Sequence, residues 1–382
     1  MEEITQMVCA DCGTLNPVGS RYCRLCGAPL SGGEQRADKE GSETESEAQG
    51  IFCWACGARN PVGSQLCQTC GSSLLLEEWL YLSVLPVGTI LGGRGIYTVG
   101  KVLGQGSFGI TYMGTDILSR PIVIKELFPE GCIRDGKTVQ FISGFYFMKQ
   151  QFLEEARLLA SLNHPGIVRI YDFFKENNTA YMVMEFVEGK NLLDLLVERG
   201  GVMEEREAID YITQVAEALE AIHKAGYLHR NIKPQNIMVT NDGRSVLMDS
   251  SGCCAPYTRC LTCGAEIMEE MDACPDCGTE VGMEPILTPG YAPLEQYTRR
   301  ARFGPPLDIY ALGATLYHLL TGQVPPPAPD RATGMDLAPP HQLNPKVSRS
   351  VSEAVMKAMA IRVEERPQTV RAFIEILRGE TG

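Results

Sequence analysis

The chain has 382 residues, of which 44% are hydrophobic, so it is long enough for a domain with a sizeable buried core and for further small modules. Its formal net charge is −13, which argues against a general binder of nucleic acid or of anionic membranes. The sequence contains no apolar run of membrane-spanning length and no signal-peptide pattern at its N-terminus, so we expect a cytoplasmic protein.

Two near-copies of one cysteine pattern open the sequence, 44 residues apart, each with the spacing C-x2-C-x10-C-x2-C. Four thiolates in two such pairs complete a tetrahedral zinc site, and a module of about 20 residues needs the metal to fold because its apolar core is too small. Disulfides and an iron–sulfur cluster are the alternatives. The predicted zinc ligands are Cys9, Cys12, Cys23 and Cys26 in the first copy and Cys53, Cys56, Cys67 and Cys70 in the second.

These modules resemble the small zinc ribbons found at the ends of many bacterial multidomain proteins. A site with four cysteine ligands and no open position is structural rather than catalytic. We expect the two ribbons at residues 1–30 and 51–73. Residues 31–50 contain six acids and two bases among Gly and Ser, which is typical of a flexible acidic linker. Residues 74–96 are expected to be a second linker.

From residue 97 the pattern changes to alternating apolar residues around a glycine-rich turn, which predicts a strand, a hairpin and a second strand. Gly104, Gly106 and Gly109 have G-x-G-x-x-G spacing, which by itself also fits an ordinary turn or a dinucleotide-binding fold. Lys125 ends the apolar Ile-Val-Ile-Lys of the next strand, and no helix directly follows the glycines. This context disfavours a Rossmann motif.

Residues 152–162 have the periodicity of an amphipathic helix and include Glu155, which an exposed helix face would also explain. Residues 180–188 are an apolar stretch that predicts a strand ending at a hinge. Helix-like segments follow from residue 192 and over residues 204–224.

Several ordered motifs occupy the second half of the chain. Residues 229–236 read His-Arg-Asn-Ile-Lys-Pro-Gln-Asn, and Leu-Met-Asp follows, ending at Asp249. Pro-Gly-Tyr-Ala-Pro-Leu-Glu ends at Glu295, and Asp-Ile-Tyr-Ala-Leu-Gly begins at Asp308. Together with the glycine-rich turn and the lysine strand, these motifs resemble the bacterial Ser/Thr protein kinase family over residues 97–378.

The resemblance implies an α+β, bilobal protein kinase-like fold over residues 97–380, with a β-rich N-lobe and a helical C-lobe. It also implies a site for ATP, in which glycines cover the phosphates and a lysine paired with a helix glutamate contacts the phosphates. The backbone of the hinge would contact adenine, and an Asn and an Asp would bind Mg²⁺. The residues in these positions are Gly104, Gly106, Gly109, Lys125, Glu155, Glu185, Val187, Asn236 and Asp249.

Three further roles follow from the resemblance. Asp308 matches a buried helix acid that supports the catalytic loop, and Arg366 matches an arginine that pairs with Glu295. Lys233 lies in the catalytic loop, where it would stabilise charge.

Asn231 is the first departure from the family, in which an Asp accepts the proton of the substrate hydroxyl. An amide cannot take a proton at neutral pH, so a general-base contribution of about 10²–10⁴-fold is lost. Phosphoryl transfer depends mostly on positioning and charge stabilisation, so this loss lowers the rate without forcing it to zero. Ser250 and Ser251 follow Asp249 where the family has Phe-Gly, which removes an apolar contact between the lobes.

A third copy of the cysteine pattern lies between Asp249 and Glu295, and we expect a zinc-ribbon insertion over residues 256–282 of the activation segment. It is interpreted either as a docking module for a partner or as a neutral insertion in a surface loop. Cys132, outside these patterns, is expected to be a packed residue. The predicted ligands of the third site are Cys260, Cys263, Cys274 and Cys277.

These features predict a protein that binds ATP, Mg²⁺ and three structural Zn²⁺ ions and that acts as a regulatory or scaffolding pseudokinase with an unidentified protein partner. One alternative is an active Ser/Thr kinase that works despite Asn231. Another is a binding module for protein or nucleic acid built on the ribbons. The residues around the cysteines are not notably basic and lack an interleaved aromatic platform, which argues against nucleic acid.

Overall fold

The computed structural model describes residues 6–8, 15–17, 51–52, 59–60, 84–93, 95–106, 108–140, 145–248, 276, 287–297 and 303–380. The twelve predicted zinc ligands, Asp249, Ser250 and Ser251 lie outside these residues. None of the helices in the described part of the chain combines the length and the apolar character that a membrane span requires.

Four short strands lie in the N-terminal part of the chain, in two antiparallel pairs: β1 (Gln6–Val8) with β2 (Leu15–Pro17), and β3 (Ile51–Phe52) with β4 (Arg59–Asn60). Each pair falls within one of the two predicted ribbons.

A six-stranded antiparallel sheet forms the N-lobe, in the order β11-β12-β8-β7-β6-β5. Short connections join every neighbouring pair except β8 and β12. At residues 177 and 178, two asparagines with positive φ make the tight turn between β11 and β12. The strands are β5 (Ile90–Leu91), β6 (Tyr97–Gly106), β7 (Gly109–Asp116), β8 (Pro121–Leu127), β11 (Ile170–Glu176) and β12 (Thr179–Glu185).

A hairpin and one helix complete the N-lobe. The hairpin consists of β9 (Ile133–Asp135) and β10 (Thr138–Gln140), and it lies in the chain between the lysine strand β8 and the helix α1 (Phe145–Ser161). Helix α1 packs against β11 and β12. Phe152, Ala156 and Leu159 are buried, at the spacing expected for one face of a helix.

The C-lobe is helical, apart from a small sheet of β13 (Gly189–Asn191), β14 (Ile237–Thr240) and β15 (Ser245–Leu247). Capping side chains begin several helices; Asn191, for example, accepts a hydrogen bond from the Asp194 N–H. The helices are α2 (Leu192–Glu198), α3 (Glu205–Lys224), α4 (Pro305–Thr321), α5 (Ala328–Ala332), α6 (Pro340–Leu343), α7 (Arg349–Ala358) and α8 (Val370–Arg378).

Helix α4 is the centre of the C-lobe, since nearly every residue in it is buried and α3, α7 and α8 pack around it. Pro305 and Pro306 occupy its first turn, where a missing N–H costs nothing, and Gly322 ends it in the left-handed region at φ 70°. A helix that is apolar on all sides is stable in water only when it is surrounded in this way.

The predicted β-rich and helical lobes are confirmed, with differences at the element boundaries. Helix α1 begins at Phe145, seven residues before the predicted start, and β12 ends at Glu185 rather than at residue 188. The second predicted linker, residues 74–96, contains β5, which pairs with β6 as part of the lobe.

Candidate active site

The glycine-rich turn joins β6 to β7, and its three glycines have different surroundings. Gly106 pairs with Gly109 at the turn. A side chain at Gly109 would overlap the carbonyl oxygen of Glu126 on the neighbouring strand, so this glycine is required for strand packing. Among the described residues, none apart from its two chain neighbours has an atom within 4 Å of where the Cβ of Gly104 would lie, and its φ is not in the left-handed region. The open space over Gly104 therefore fits a ligand that approaches the backbone closely.

Lys125 and Glu155 face each other across the N-lobe. The Lys125 Nζ lies 3.8 Å from the Glu155 Oε1, and the two side chains are 12% and 6% exposed. The ring of Phe152 lies below the Lys125 ammonium at 5.9 Å. The predicted lysine–glutamate pair is thus present, and the lysine ammonium is largely shielded from solvent.

The predicted hinge follows the end of β12. Met184 lies opposite Val123 of β8 in the sheet register, and both side chains are buried. The Glu185 N–H donates to the Arg169 carbonyl oxygen at 2.9 Å, so only its carbonyl remains for adenine, together with the backbone of the buried Val187.

Asp308 of α4 binds the backbone of the catalytic loop, as predicted. Its carboxylate accepts hydrogen bonds from the backbone N–H of His229 at 2.8 Å and of Arg230 at 2.7 Å, and it lies 2.8 Å from the His223 Nε2. Burial acts to raise the pKa of Asp308, but His223 and the backbone donors outweigh it and hold the pKa below its ordinary value. Arg230 is bent into the left-handed region at φ 63°, which these two backbone bonds stabilise.

Asn231 lies in this loop, at the sequence position predicted to correspond to the family base. Its backbone is bound on both sides: the N–H donates to the His229 Nδ1 at 3.3 Å, and the carbonyl accepts from the Asn236 Nδ2 at 2.8 Å. The residue is only 8% exposed. The loop therefore holds residue 231 in place, but presents an amide there instead of a carboxylate.

Lys233 donates from Nζ to the Thr288 Oγ1 at 3.2 Å. This contact links the catalytic loop to the segment that ends at Glu295. The predicted pair at the end of that segment is present too, because Arg366 donates to both carboxylate oxygens of Glu295 at 2.6 and 2.9 Å.

The predicted magnesium ligands are Asn236 and Asp249. Since the Asn236 amide nitrogen is bound to the Asn231 carbonyl, the amide oxygen is the atom left for a metal ion, and Mg²⁺ prefers such oxygen ligands. Asp249 lies outside the described residues, but the N–H of the preceding Met248 donates to the Asn236 carbonyl at 2.8 Å. Met248, the last described residue before Asp249, therefore lies beside Asn236.

Thr288 and His223 belong to this site and were not singled out from the sequence. Thr288 stands immediately before the recognised Pro-Gly-Tyr motif, so its position was a usable signal. His223 lies near the end of α3 and reaches Asp308 across 85 positions of sequence, a contact that no local pattern indicates.

Comparison with family models gives two matches. The model described as protein kinase domain matches residues 97–375, and the model described as double zinc ribbon matches residues 9–71. The first match spans both lobes, and the second contains the eight cysteines of the first two predicted zinc sites.

Relatives and a solved structure agree with these matches. The chain is 31% identical over 302 residues to serine/threonine-protein kinase pkn2 of Myxococcus xanthus, which covers 76% of this chain and 33% of the relative. It is 30% identical over 299 residues to serine/threonine-protein kinase PknB of Mycobacterium leprae, covering 75% of this chain and 43% of the relative. The chain therefore spans well under half the length of these curated relatives.

The solved structure described as PpkA-294 apo form is 30% identical and superposes with a TM-score of 0.62, covering 77% of this chain and 99% of that chain. Nearly all of the solved chain is covered, and the covered share of this chain is similar to the share that the protein kinase domain model matches. The chain belongs to the protein kinase domain family, with bacterial Ser/Thr kinases as relatives, and carries a double zinc ribbon ahead of its kinase domain.

Proposed function

We propose that this protein is a pseudokinase of the Ser/Thr kinase family, which binds ATP with Mg²⁺ and transfers phosphate slowly or not at all. The observation that carries the proposal is Asn231, an amide fixed at the base position of an otherwise ordered catalytic loop. At neutral pH it cannot accept the substrate proton, and the loss is worth about 10²–10⁴-fold in rate.

Nucleotide binding is supported by groups from both lobes. The open space over Gly104 and the charge of Lys125 fit the phosphates, and the Asn236 amide oxygen fits a magnesium ion. When bound, Mg²⁺ supplies charge neutralisation between the phosphates. The protein's own part is to hold Lys125 beside Glu155, largely shielded from solvent, and to hold the catalytic loop through Asp308.

Two measurements on one zinc-loaded sample test the proposal. Thermal unfolding is followed with ATP in the presence and absence of Mg²⁺, and the sample is then incubated with labelled ATP. We expect stabilisation by ATP with little or no label transferred to protein, and loss of the stabilisation in Lys125→Ala. If neither binding nor transfer is found, the kinase domain is a protein-interaction scaffold and the proposed nucleotide site is wrong.

An active kinase is the second candidate, favoured by the contact between Lys233 and Thr288. This contact fixes an ammonium group beside the base position, where it can stabilise charge on a transferring phosphoryl group. Water or the substrate phosphate would then take the proton. The relatives named above are called serine/threonine-protein kinases, which is consistent with this candidate.

Asn231→Asp separates the two candidates. If the site lacks only a base, transfer rises by about 10²–10⁴-fold in this variant. If transfer is already rapid in the unmodified chain and Asn231→Asp changes it little, another group does the work of the base and the pseudokinase proposal fails. Asn236→Ala in the Asn231→Asp background serves as the control, because it removes a magnesium ligand.

The ribbons are proposed to bind a protein partner of a cytoplasmic regulatory complex. Closed four-cysteine sites cannot carry catalysis, so their role is to shape a surface. A third ribbon over residues 256–282 would place such a surface in the activation segment of the kinase domain.

A further inference from the structure

A buried polar cluster lies behind Lys125, on the other face of its strand. The Glu126 carboxylate accepts hydrogen bonds from the Tyr112 hydroxyl at 2.7 Å, the Tyr181 hydroxyl at 2.9 Å and the Arg134 guanidinium at 2.6 Å. The Tyr112 oxygen in turn accepts from the Leu85 N–H at 3.0 Å. We call these five residues the Glu126 cluster.

The sheet register explains why the cluster forms. Tyr181 of β12 lies directly opposite Glu126 of β8, and Tyr112 of β7 lies diagonally across from it, opposite Ile124. Side chains alternate along a strand, so these three groups share one face of the sheet and Lys125 lies on the other. Lys125 and Glu126 are consecutive residues of β8. The lysine therefore lies on one face of the sheet, and the cluster carboxylate lies on the opposite face.

The cluster is closed to water. Glu126, Tyr112 and Tyr181 are fully buried, and the Arg134 side chain is 3% exposed with its guanidinium 4.8 Å from the Phe128 ring. Burial raises the pKa of Glu126, and Arg134 opposes this shift. A carboxylate in such surroundings requires its partners, because an unpaired buried charge is strongly unfavourable. A displacement of β8 at Glu126 would therefore break the hydrogen bonds to Tyr112, Tyr181 and Arg134.

Three parts of the chain meet at the cluster. Leu85 belongs to the segment that comes from the zinc ribbons, and Arg134 belongs to the β9–β10 hairpin. The hairpin binds the β11–β12 turn, since the Val139 N–H donates to the Asn177 carbonyl at 2.9 Å. The same turn accepts a hydrogen bond at the Asn178 carbonyl from Lys149 of α1, the helix that carries Glu155.

We propose that the Glu126 cluster is a positioning unit for Lys125, which makes the placement of the lysine depend on the hairpin and on the segment that arrives from the ribbons. This inference rests on the proposed function in assigning Lys125 to the nucleotide site. Tyr112 is its central residue, because one hydroxyl joins the Leu85 backbone to the Glu126 carboxylate.

The test compares Tyr112→Phe with the matched control Tyr97→Phe in the full chain. Tyr97, in the same lobe, donates to the Asp172 Oδ2 at 3.0 Å and does not contact the cluster carboxylate. The first measurement is the rate at which an amine-directed acetylating reagent modifies Lys125, relative to the exposed Lys346 in the same molecule, and it needs no nucleotide. The second is the dissociation constant of Mg·ATP well below the unfolding temperature.

We expect Tyr112→Phe to change the relative acetylation rate of Lys125 and to weaken Mg·ATP binding, each by about two- to thirtyfold. Tyr97→Phe should lower the unfolding temperature and leave both quantities unchanged. Tyr181→Phe, which removes a second donor to Glu126, should act like Tyr112→Phe and replaces it if that variant does not fold.

Equal Lys125 acetylation rates in the unmodified chain, Tyr112→Phe and Tyr181→Phe would overturn the inference, even if both variants are less stable. A changed acetylation rate in a chain that does not bind ATP would instead overturn the proposed function and leave the positioning unit standing.

Discussion

Residue 231 separates the geometry of the catalytic loop from its chemistry. The bonds that place the loop are made by its backbone, by the Asn236 amide and by the Asp308 carboxylate. None of these contacts requires a carboxylate at residue 231. A change from Asp to Asn at this position can therefore remove the base while the loop keeps its form, which is why a family match does not decide activity.

Gly104 and Gly109 are glycines for different reasons, which a pair of substitutions separates. Gly104→Ala meets open space, so it should leave the free energy of unfolding almost unchanged and weaken ATP binding, by about tenfold if a phosphate approaches there. Gly109→Ala meets the Glu126 carbonyl and should cost about 1–3 kcal/mol of stability. Urea unfolding and ATP titration measure the two effects; equal ATP affinity in Gly104→Ala and the unmodified chain would contradict a ligand over Gly104.

His318 makes the stability depend on pH. It is buried in α4, with its Nδ1 2.7 Å from the Tyr291 hydroxyl, and burial lowers its pKa to about 4. In the unfolded chain its pKa is about 6.5, so between these values the unfolded state binds the extra proton. Its contribution to stability is present above pH 6.5 and is lost as the pH falls towards 4. At pH 5 the loss should be about 2 kcal/mol.

His318→Asn provides the matched control for this prediction, because the Asn amide can either donate a hydrogen bond to the Tyr291 hydroxyl or accept one from it, but does not titrate. The unfolding free energy of the unmodified chain, minus that of the variant, should fall by about 2 kcal/mol between pH 7 and pH 5. A difference that stays constant over this range would show that His318 is not the titrating group.

At the scale of elements, the sequence predicted those whose pattern is local. Alternating apolar residues on both sides of the glycine-rich turn predicted β6 and β7, and the apolar run before Lys125 predicted β8. The start of α1 was missed because its first turn contains no acidic residue to mark it. Short β5 lay inside the predicted linker, since two residues carry no detectable period.

The Glu126 cluster was not predictable in this way. A glutamate in a strand is normally exposed, so Glu126 gave no sign of being fully buried. Its partners lie 8 to 55 positions away in the sequence, and only the sheet register brings them together. The predicted site residues were easier to single out from the sequence, because they belong to short motifs in a fixed order.

The third cysteine pattern predicts how many zinc ions each chain binds. If residues 256–282 hold a structural zinc, the purified chain contains three zinc ions, and the double variant Cys260→Ser with Cys263→Ser contains two. Cys132→Ser is the control, because Cys132 is a half-buried residue outside the three patterns. Metal analysis of protein purified without chelators measures the ratio. Two zinc ions in the unmodified chain would contradict the third site.

On the scale of the whole molecule, the predicted nucleotide site lies between the lobes. Lys125 and Glu155 come from the N-lobe, whereas Asn231, Lys233 and Asn236 come from a loop held on α4 of the C-lobe. The lobes are also joined directly, as the Val168 N–H donates to the Leu247 carbonyl at 3.0 Å. A ligand that contacts both groups of residues should therefore stabilise both lobes together.

This arrangement predicts how ATP changes unfolding. At a concentration of 100 times its dissociation constant, Mg·ATP should add about 2.7 kcal/mol to the stability of the kinase domain. For a kinase domain of this length, that corresponds to an increase of about 4–5 °C in unfolding temperature. The whole increase should be lost in Lys125→Ala, a change in one lobe, and in Asn236→Ala, a change in the other.

Lys346→Ala, an exposed change in the C-lobe, should keep the full shift and serves as the control. Magnesium must be omitted rather than chelated in the metal-free sample, because a chelator would also take zinc from the ribbons. If Asn236→Ala kept the full shift while Lys125→Ala lost it, ATP would contact the N-lobe alone. The stabilisation would then be a property of one lobe, and the site between the lobes would be incomplete as a kinase site.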